Sequence, residues 1–362
     1  MIPHRSVLVA LAPIILLIAL GCDKKASLGT FVPTPTPLAP GAPHTWQDLE
    51  LSHGYVGVEA LTSWNGKLVA GGDFFDVNGA PLTQLAYWNG TSWTRLGPVL
   101  GSSVQALAVR NGNLVVGGSF PHINGDTLRY VAEWDGTNWI PLGSGFDRSV
   151  SALIVYNGDL IAGGYFDFAG GVPARNVARW DGTSWHPLGA GLDNTVRALA
   201  VYNGDLIASG DFLKADGSLS PHVAAWNGAS WSSLGGGVDG SVTALALHGG
   251  ALVAGGSFAT AGATPARNVA TWNGAQWDSL GPGLGQFSWE PVRALAEYGD
   301  TLVAGGNFPG KVRRWDGSAW VPMQDLYGMV QALAIHDGWL IAGGWFPRSE
   351  GNAVNGIARW VP

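Results

Sequence analysis

Few side chains in this sequence could do chemistry, and they are widely spread. The single cysteine, Cys22, follows directly on an apolar run. Its thiol is therefore placed for modification at a processing junction, not for a disulfide or a cysteine-built metal site. The histidines beyond that junction, at 44, 53, 122, 186, 222, 248 and 336, never fall at metal-ligand spacings. Asp76-Val-Asn-Gly79 hints at a calcium loop, but it does not recur in full and reads better as a turn. What remains is a polar series, Glu59, Gln105, Ser151, Arg197, Thr243, Arg293 and Gln331, each preceded by Val and followed by Ala. Arg197 and Arg293, with Trp289 just upstream of the second, offer charged hydrogen bonds and a stacking surface, which suits an acidic or sugar-like ligand. Hydrolysis at the same place would need a carboxylate such as Glu59 or Glu290.

The composition narrows the classes. Of 362 residues only 12% are charged, 55 are Gly and 18 are Trp, and the net charge is −7. An acidic chain lacks the basic surface that displaces counterions from nucleic acid, so a nucleic-acid partner is not expected. At the N-terminus Arg5 precedes an uncharged run, Val7 to Leu20, then Gly21 and Cys22. Fourteen residues fall short of the roughly 20 a spanning helix needs, and the charged start and small-residue end read as a secretory signal. Ile18-Ala19-Leu20-Gly21-Cys22 resembles a bacterial lipobox, which implies cleavage before Cys22 and a diacylglycerol on its thiol. Residues 1–21 are then a signal peptide. Residues 22–43, with Thr-Pro-Thr-Pro and three further prolines, form an extended tether. Membrane lipid, through Cys22, is the first partner this predicts. Asp23 resembles the inner-membrane retention signal of enteric bacteria, a rule that does not transfer across phyla, so either membrane stays open.

The elements that must position the remaining residues are repeats. Val58, Val104, Val150, Val196, Val242, Val292 and Val330 mark seven units with spacings of 46, 46, 46, 46, 50 and 38 residues. Each unit reads as four short β-rich runs, A to D. Asn-Gly or a related pair lies between A and B, and again between C and D, a hairpin signal because both central residues of a type I′ turn need positive φ. A Phe follows each marker Val by sixteen residues, and a Trp pair brackets each second turn, as in Trp88 and Trp93. Aromatics recurring once per unit are expected to be core wedges. The seventh unit ends at Arg359-Trp360-Val361-Pro362, before its fourth strand, and that strand is found at the other end, in His44-Thr-Trp46-Gln-Asp-Leu. A unit divided between the termini predicts a closed ring, an all-β, seven-bladed β-propeller over residues 44–362, monomeric and without exposed edges.

The glycine pair ending strand B, as in Gly71-Gly72 and Gly163-Gly164, followed by an aromatic and later by Trp-x-x-Leu, resembles the kelch family of propellers over residues 44–362. Unit four departs, with Ser209-Gly210. Closer still are tandem bacterial surface repeats built on Trp-(Asn/Asp)-Gly-x-x-Trp. The resemblance implies a propeller and a binding role, not an activity. Copper oxidases among kelch-like propellers need a Tyr–Cys crosslink, and Cys22 is already committed. Asp181-Gly-Thr-Ser-Trp185 resembles a sialidase Asp-box but lacks its spacer residue. No cofactor or metal is expected.

Departures from the repeat locate a candidate site. The B–C and D–A connections share one face of the disc and carry both length changes, an insertion at Gln286-Phe-Ser-Trp289-Glu-Pro and a shortened B–C loop in unit six. Trp289 and Trp345 belong to this variable face, Trp64 and Trp339 to the tight-turn face. The expected ligand contacts are therefore Trp289, Trp345, Arg197, Arg293, Glu59, Gln105 and Gln331, in a non-catalytic envelope protein that binds a glycan or another envelope protein. A glycan-processing enzyme and a purely structural component are the alternatives, and the expected location is the bacterial cell envelope, outside the cytoplasm.

Overall fold

A computed structural model describes residues 45–51, 56–74, 76–77, 80–81, 84–98, 100–123, 128–287, 289–324, 326–346 and 354–361. The signal segment 1–21, Cys22, the tether 22–43 and His44 lie outside the described residues. The chain divides into Met1–Val32 and Pro33–Pro362, and everything described belongs to the second unit.

Among the described residues the regular elements are all β-strands. Seven four-stranded antiparallel sheets follow one another, each ordered A-B-C-D except the last, whose outer strand comes from the N-terminus. Blade 1 comprises Val56–Trp64, Lys67–Phe74, Leu85–Trp88 and Trp93–Arg95; blade 3 comprises Val150–Tyr156, Asp159–Gly164, Val177–Trp180 and Trp185–Pro187. Blades 2, 4, 5 and 6 repeat this plan from A strands at Val104–Arg110, Val196–Tyr202, Ser241–His248 and Val292–Tyr298. Blade 7 is Met329–His336, Trp339–Trp345, Ile357–Val361 and Thr45–Asp48. Neighbouring A strands pack on one another, so strand A is innermost. The chain is a seven-bladed β-propeller.

The two hairpin turns use Asn-Gly for different reasons. In the A–B turns of every blade but the sixth both central residues have positive φ, as at Asn157 (52°) and Gly158 (87°), matching type I′; in blade 6, Gly299-Asp300, only the glycine does. In the C–D turns only the glycine does, as at Gly182 (106°), so the type I′ expectation is wrong there. The Asp181 carboxylate instead accepts hydrogen bonds from the Thr183 and Ser184 amides at 2.8 and 2.9 Å. Asn89, Asp135, Asn227, Asn273 and Asp316 do the same in their blades. The first residue of that turn is an acceptor cap, a role in which Asn and Asp are interchangeable.

Ring closure follows the predicted division. Thr45, Trp46, Gln47 and Asp48 pair with Val361, Trp360, Arg359 and Ala358. The strand is also fastened to both neighbouring blades. The Trp46 indole N–H donates to the Gln324 carbonyl of blade 6, and Trp93 of blade 1 donates to the Leu49 carbonyl, each at 2.8 Å. The same bond links successive blades through Trp185, Trp231, Trp277 and Trp320. The seven recurring Phe side chains are all buried, as expected of wedges between blades.

Each A strand carries a β-bulge at the residue after its marker Val, opposite the glycine pair. The two glycines answer different neighbours. A Cβ on Gly163 would meet a side chain of the next blade, Val196 Cγ1, at 2.5 Å, whereas one on Gly164 would meet the Ser149 carbonyl of its own bulge at 2.2 Å. Every blade keeps the second glycine, and the one exception in sequence, Ser209, occupies the first position.

Candidate functional site

The bulge accounts for the polar series. Glu59, Gln105, Ser151, Arg197, Thr243, Arg293 and Gln331 are the seven bulged residues, and the extra residue of a bulge escapes the alternation that buries its Val and Ala neighbours. They ring the inner strands at the end where the D–A connections arrive. The glycine pair was the signal in the sequence that could have marked the bulge, since a strand with two consecutive glycines invites close backbone approach.

The charges on this ring are not equivalent. Arg197 is already partnered, its Nε and Nη2 donating to Asp211 at 2.9 and 2.6 Å, while Ser241 Oγ donates to Asp211 Oδ1 at 2.6 Å. Burial works to raise the Asp211 carboxyl, but Arg197 and Ser241 outweigh it and hold it below the usual range. Arg293 has no carboxylate partner among the described residues, and its Nε is buried without a hydrogen bond. Burial, then the nearby charge of Arg197, destabilise its cation. Glu59 is the mirror case. Burial pushes its carboxyl up, Ser103 and Gln105 act the other way, and Asp73 adds repulsion. Thr243 is satisfied by the Val292 carbonyl at 2.5 Å. The ring thus offers one unneutralised guanidinium, Arg293, and one costly carboxylate, Glu59.

The variable face is built by a latch that blade 6 lacks. In blades 3, 4 and 5 the B–C loop forms a small two-stranded ribbon, such as Phe168–Ala169 with Val172–Pro173. An aspartate from the preceding connection, Asp147, Asp193 or Asp239, accepts two backbone amides at the start of each ribbon. Asp76–Val77 pairs with Ala80–Pro81 in the same manner. Among the described residues no group of three His, Cys, Asp or Glu converges to hold a metal.

In blade 6 the ribbon is absent from the shortened loop, and the preceding connection is held differently. Asn268, fully buried, donates from Nδ2 to the Leu284 and Phe287 carbonyls at 2.9 Å and to the Glu290 carbonyl at 3.3 Å. The Glu290 carboxylate accepts the Gln286 and Phe287 amides at 2.5 and 3.3 Å. Glu290 is therefore a loop-closing residue, and the carboxylate expected of an enzyme is committed to the backbone. The braced loop presents Phe287 and Trp289 stacked at 4.1 Å and 7° from coplanar, with 45% and 67% of their surfaces exposed.

Of the two tryptophans expected to face a common cleft, only Trp289 is presented in this way. Trp345 is 37% exposed, and its indole lies over Gly57 at the start of blade 1, where a Cβ would come within 2.6 Å of its Nε1. No described contact joins Trp345 to Trp289. Gln105 and Gln331 lie on the ring, half-buried, with Gln105 Oε1 unpartnered. On the tight-turn face Trp64 is buried, donating to the Gly112 carbonyl at 2.8 Å, and Trp339 lies under Arg359 with the guanidinium 5.1 Å from its ring.

No protein-family model matches the chain, and no curated protein matches it. Solved structures do. The structure of U3-55K superposes with a TM-score of 0.59 at 16% identity, over 88% of this chain and 98% of that one. The likeness is one of fold. The WD40 β-propeller domain of Doa1 gives 0.56 at 13% identity, over 87% and 96%. The extracellular domain of a putative hybrid two-component system from B. thetaiotaomicron gives 0.59 at 9% identity, over 88% of this chain and 40% of that one.

Proposed function

We propose that this protein is a lipid-anchored envelope component whose propeller binds a glycan on its variable face, through the Phe287–Trp289 pair and Arg293. One observation carries the reading: two coplanar aromatic rings are held in the open by a loop whose polar groups are spent on bracing it. An exposed pair of this size loses apolar contact with nothing gained unless a partner covers it, and a flat aromatic surface with an unneutralised arginine four residues on in the chain suits a sugar ring bearing polar or acidic groups. Cys22, at the end of the lipobox-like segment, supplies the anchor, with residues 22–43 as the tether. The bacterial extracellular domain of the same fold supports a place outside the cytoplasm. Within the fold, the glycine pair and the Trp-x-x-Leu motif favour a kelch-like repeat. The role is recognition without catalysis, by a monomeric ring that needs no cofactor.

A glycan and envelope-fraction binding screen of the full-length protein tests this, with Trp289→Ala and Arg293→Gln as variants. Saturable binding weakened about tenfold or more by Trp289→Ala, with unchanged melting, is the expected result, since stacking contacts contribute on the order of 1–2 kcal/mol. Binding that ignores both substitutions would remove the variable face from consideration.

A further inference from the structure

A second site lies on the opposite face, where the ring closes. Between blades 7 and 1 the tight-turn face holds a cavity of about 490 Å³, lined among others by Lys67, Trp88, Asp337, Trp339 and Arg359. That volume is within the range of small-ligand pockets. It is one of a family of inter-blade grooves, and a sister between blades 3 and 4 offers a comparison. In the sister groove, of about 370 Å³, Asp159 at the start of strand B pairs with Arg179 of strand C at 2.7 Å. The two charges cancel.

At the seam the corresponding residues are Trp339 and Arg359, so this arginine has no carboxylate opposite it. Its guanidinium lies over the Trp339 ring, Nη2 donates to Gln47 Oε1 of the closing strand at 2.5 Å, and Nε is buried with no hydrogen-bond partner. The facing blade differs from blade 3 at the same position. Lys67 stands where Asp159 stands in blade 3, and its ammonium sits 3.9 Å from the Tyr87 ring centroid with no carboxylate partner among the described residues. Two cations resting on aromatic rings thus share one cavity in a protein of net charge −7. The one lining carboxylate, Asp337, lies 3.5 Å from His336 Nε2, and its side chain is 73% exposed, leaving acceptor positions open to hydroxyl groups.

We infer that this seam cavity is a binding site for an acidic sugar unit, its carboxylate held between Lys67 and Arg359 and its ring against the half-buried indoles of Trp88 and Trp339. The cations supply charge-assisted hydrogen bonds, the indoles supply apolar faces, and Asp337 with Asn65 supplies acceptors and donors for hydroxyls. A neutral sugar would leave both cations unsatisfied, and a bare anion would leave the indoles uncovered. The site does not depend on the variable face.

The test is calorimetric titration of full-length protein with glucuronate and galacturonate, alongside glucose, galactose and inorganic phosphate. Both native protein and Trp289→Ala should take up at least one uronate saturably, with the matching neutral sugar and phosphate at least tenfold weaker. Lys67→Met should weaken uronate binding about tenfold. Trp339→Asp, which places a carboxylate opposite Arg359 as in blade 3, should abolish it while the ring still unfolds cooperatively. Equal binding of neutral sugar, equal binding of phosphate, retention of uronate by Trp339→Asp, or no uronate binding at about 10 mM would each overturn the assignment. Loss through Trp289→Ala would also overturn it, by moving the uronate to the variable face.

Discussion

Alanine substitutions at Gly163 and Gly164 should have very different consequences although the two residues are adjacent and chemically identical. A Cβ on Gly164 sits 2.2 Å from the Ser149 carbonyl oxygen and 2.9 Å from Val150 Cα, against the 3.4 Å at which ordinary contact begins. Relieving the clash means moving backbone by about 1 Å where Val150 and Gly164 are paired, beside a bulge that already distorts the ladder. Overpacking of this kind costs about 3 kcal/mol or more. A Cβ on Gly163 meets only side-chain atoms of the next blade, Val196 Cγ1 at 2.5 Å, Val196 Cβ at 3.0 Å and Leu199 Cδ1 at 3.5 Å, which a small shift between blades can relieve without disturbing a backbone ladder. The natural Ser209 occupies the equivalent position in blade 4, so about 1 kcal/mol is expected there. Guanidinium-induced unfolding, followed by tryptophan fluorescence and near-ultraviolet circular dichroism, measures both. Gly164→Ala should lower the midpoint by clearly more than Gly163→Ala. Equal midpoints, or a worse Gly163→Ala, would refute the division of labour between the two glycines.

Four further outcomes follow from the same contacts. Ser209→Ala should raise stability by about 1 kcal/mol in the same unfolding assay, because the Ser209 hydroxyl is buried without a partner. Trp185→Phe should cost about 1 kcal/mol more than Trp139→Phe by thermal melting, since the Trp185 N–H is bonded to the Leu142 carbonyl and the Trp139 N–H has no partner. Glu59→Gln should stabilise the ring at pH 7: burial raises the folded carboxyl, so its favourable protonated state is fully present at low pH and lost as pH rises through the folded value. Native and variant melting curves should therefore converge at acid pH. The turn caps Asp135, Asp181 and Asp316 have the opposite sign, because amide hydrogen bonds hold their carboxyls low. Their contribution is present above the ordinary carboxylate value and lost as pH falls through the folded one, so replacing all three with Asn should flatten the acid limb of a stability–pH profile.

Much of this molecule was readable from residue spacing, for physical reasons that also explain what was missed. The seven blades and the divided seventh were legible because each unit repeats the same buried Phe and Trp positions, and Trp46 carries the mark of a fourth strand without a unit of its own. The C–D turns misled because Asn89 and Asp181 act through their side chains, while the Asn-Gly signal concerns backbone angles. Arg197 and Arg293 look alike in sequence. Only the fold brings Asp211 to the first and leaves the second bare, since Asp211 lies fourteen residues along the next strand. Phe287 escaped attention beside Trp289 because stacking between residues two apart depends on the loop that Asn268 and Glu290 impose. The seam cavity was hidden for a related reason. Lys67, Trp339 and Arg359 are unremarkable singly and acquire meaning only against the Asp159–Arg179 pair of a sister blade.

The divided blade also sets an order of events during synthesis. Thr45 to Asp48 leave the ribosome long before Ala358 to Val361, with which they pair, and domains built as chains grow must wait for their most distant partners. Until the last few residues are available, the first strand of the ring has no ladder to join, and blade 7 consists of its two innermost strands alone. The ring is therefore completed in a single late step, and a chain shortened by only its final strand would lose the pairing at both of its ends at once.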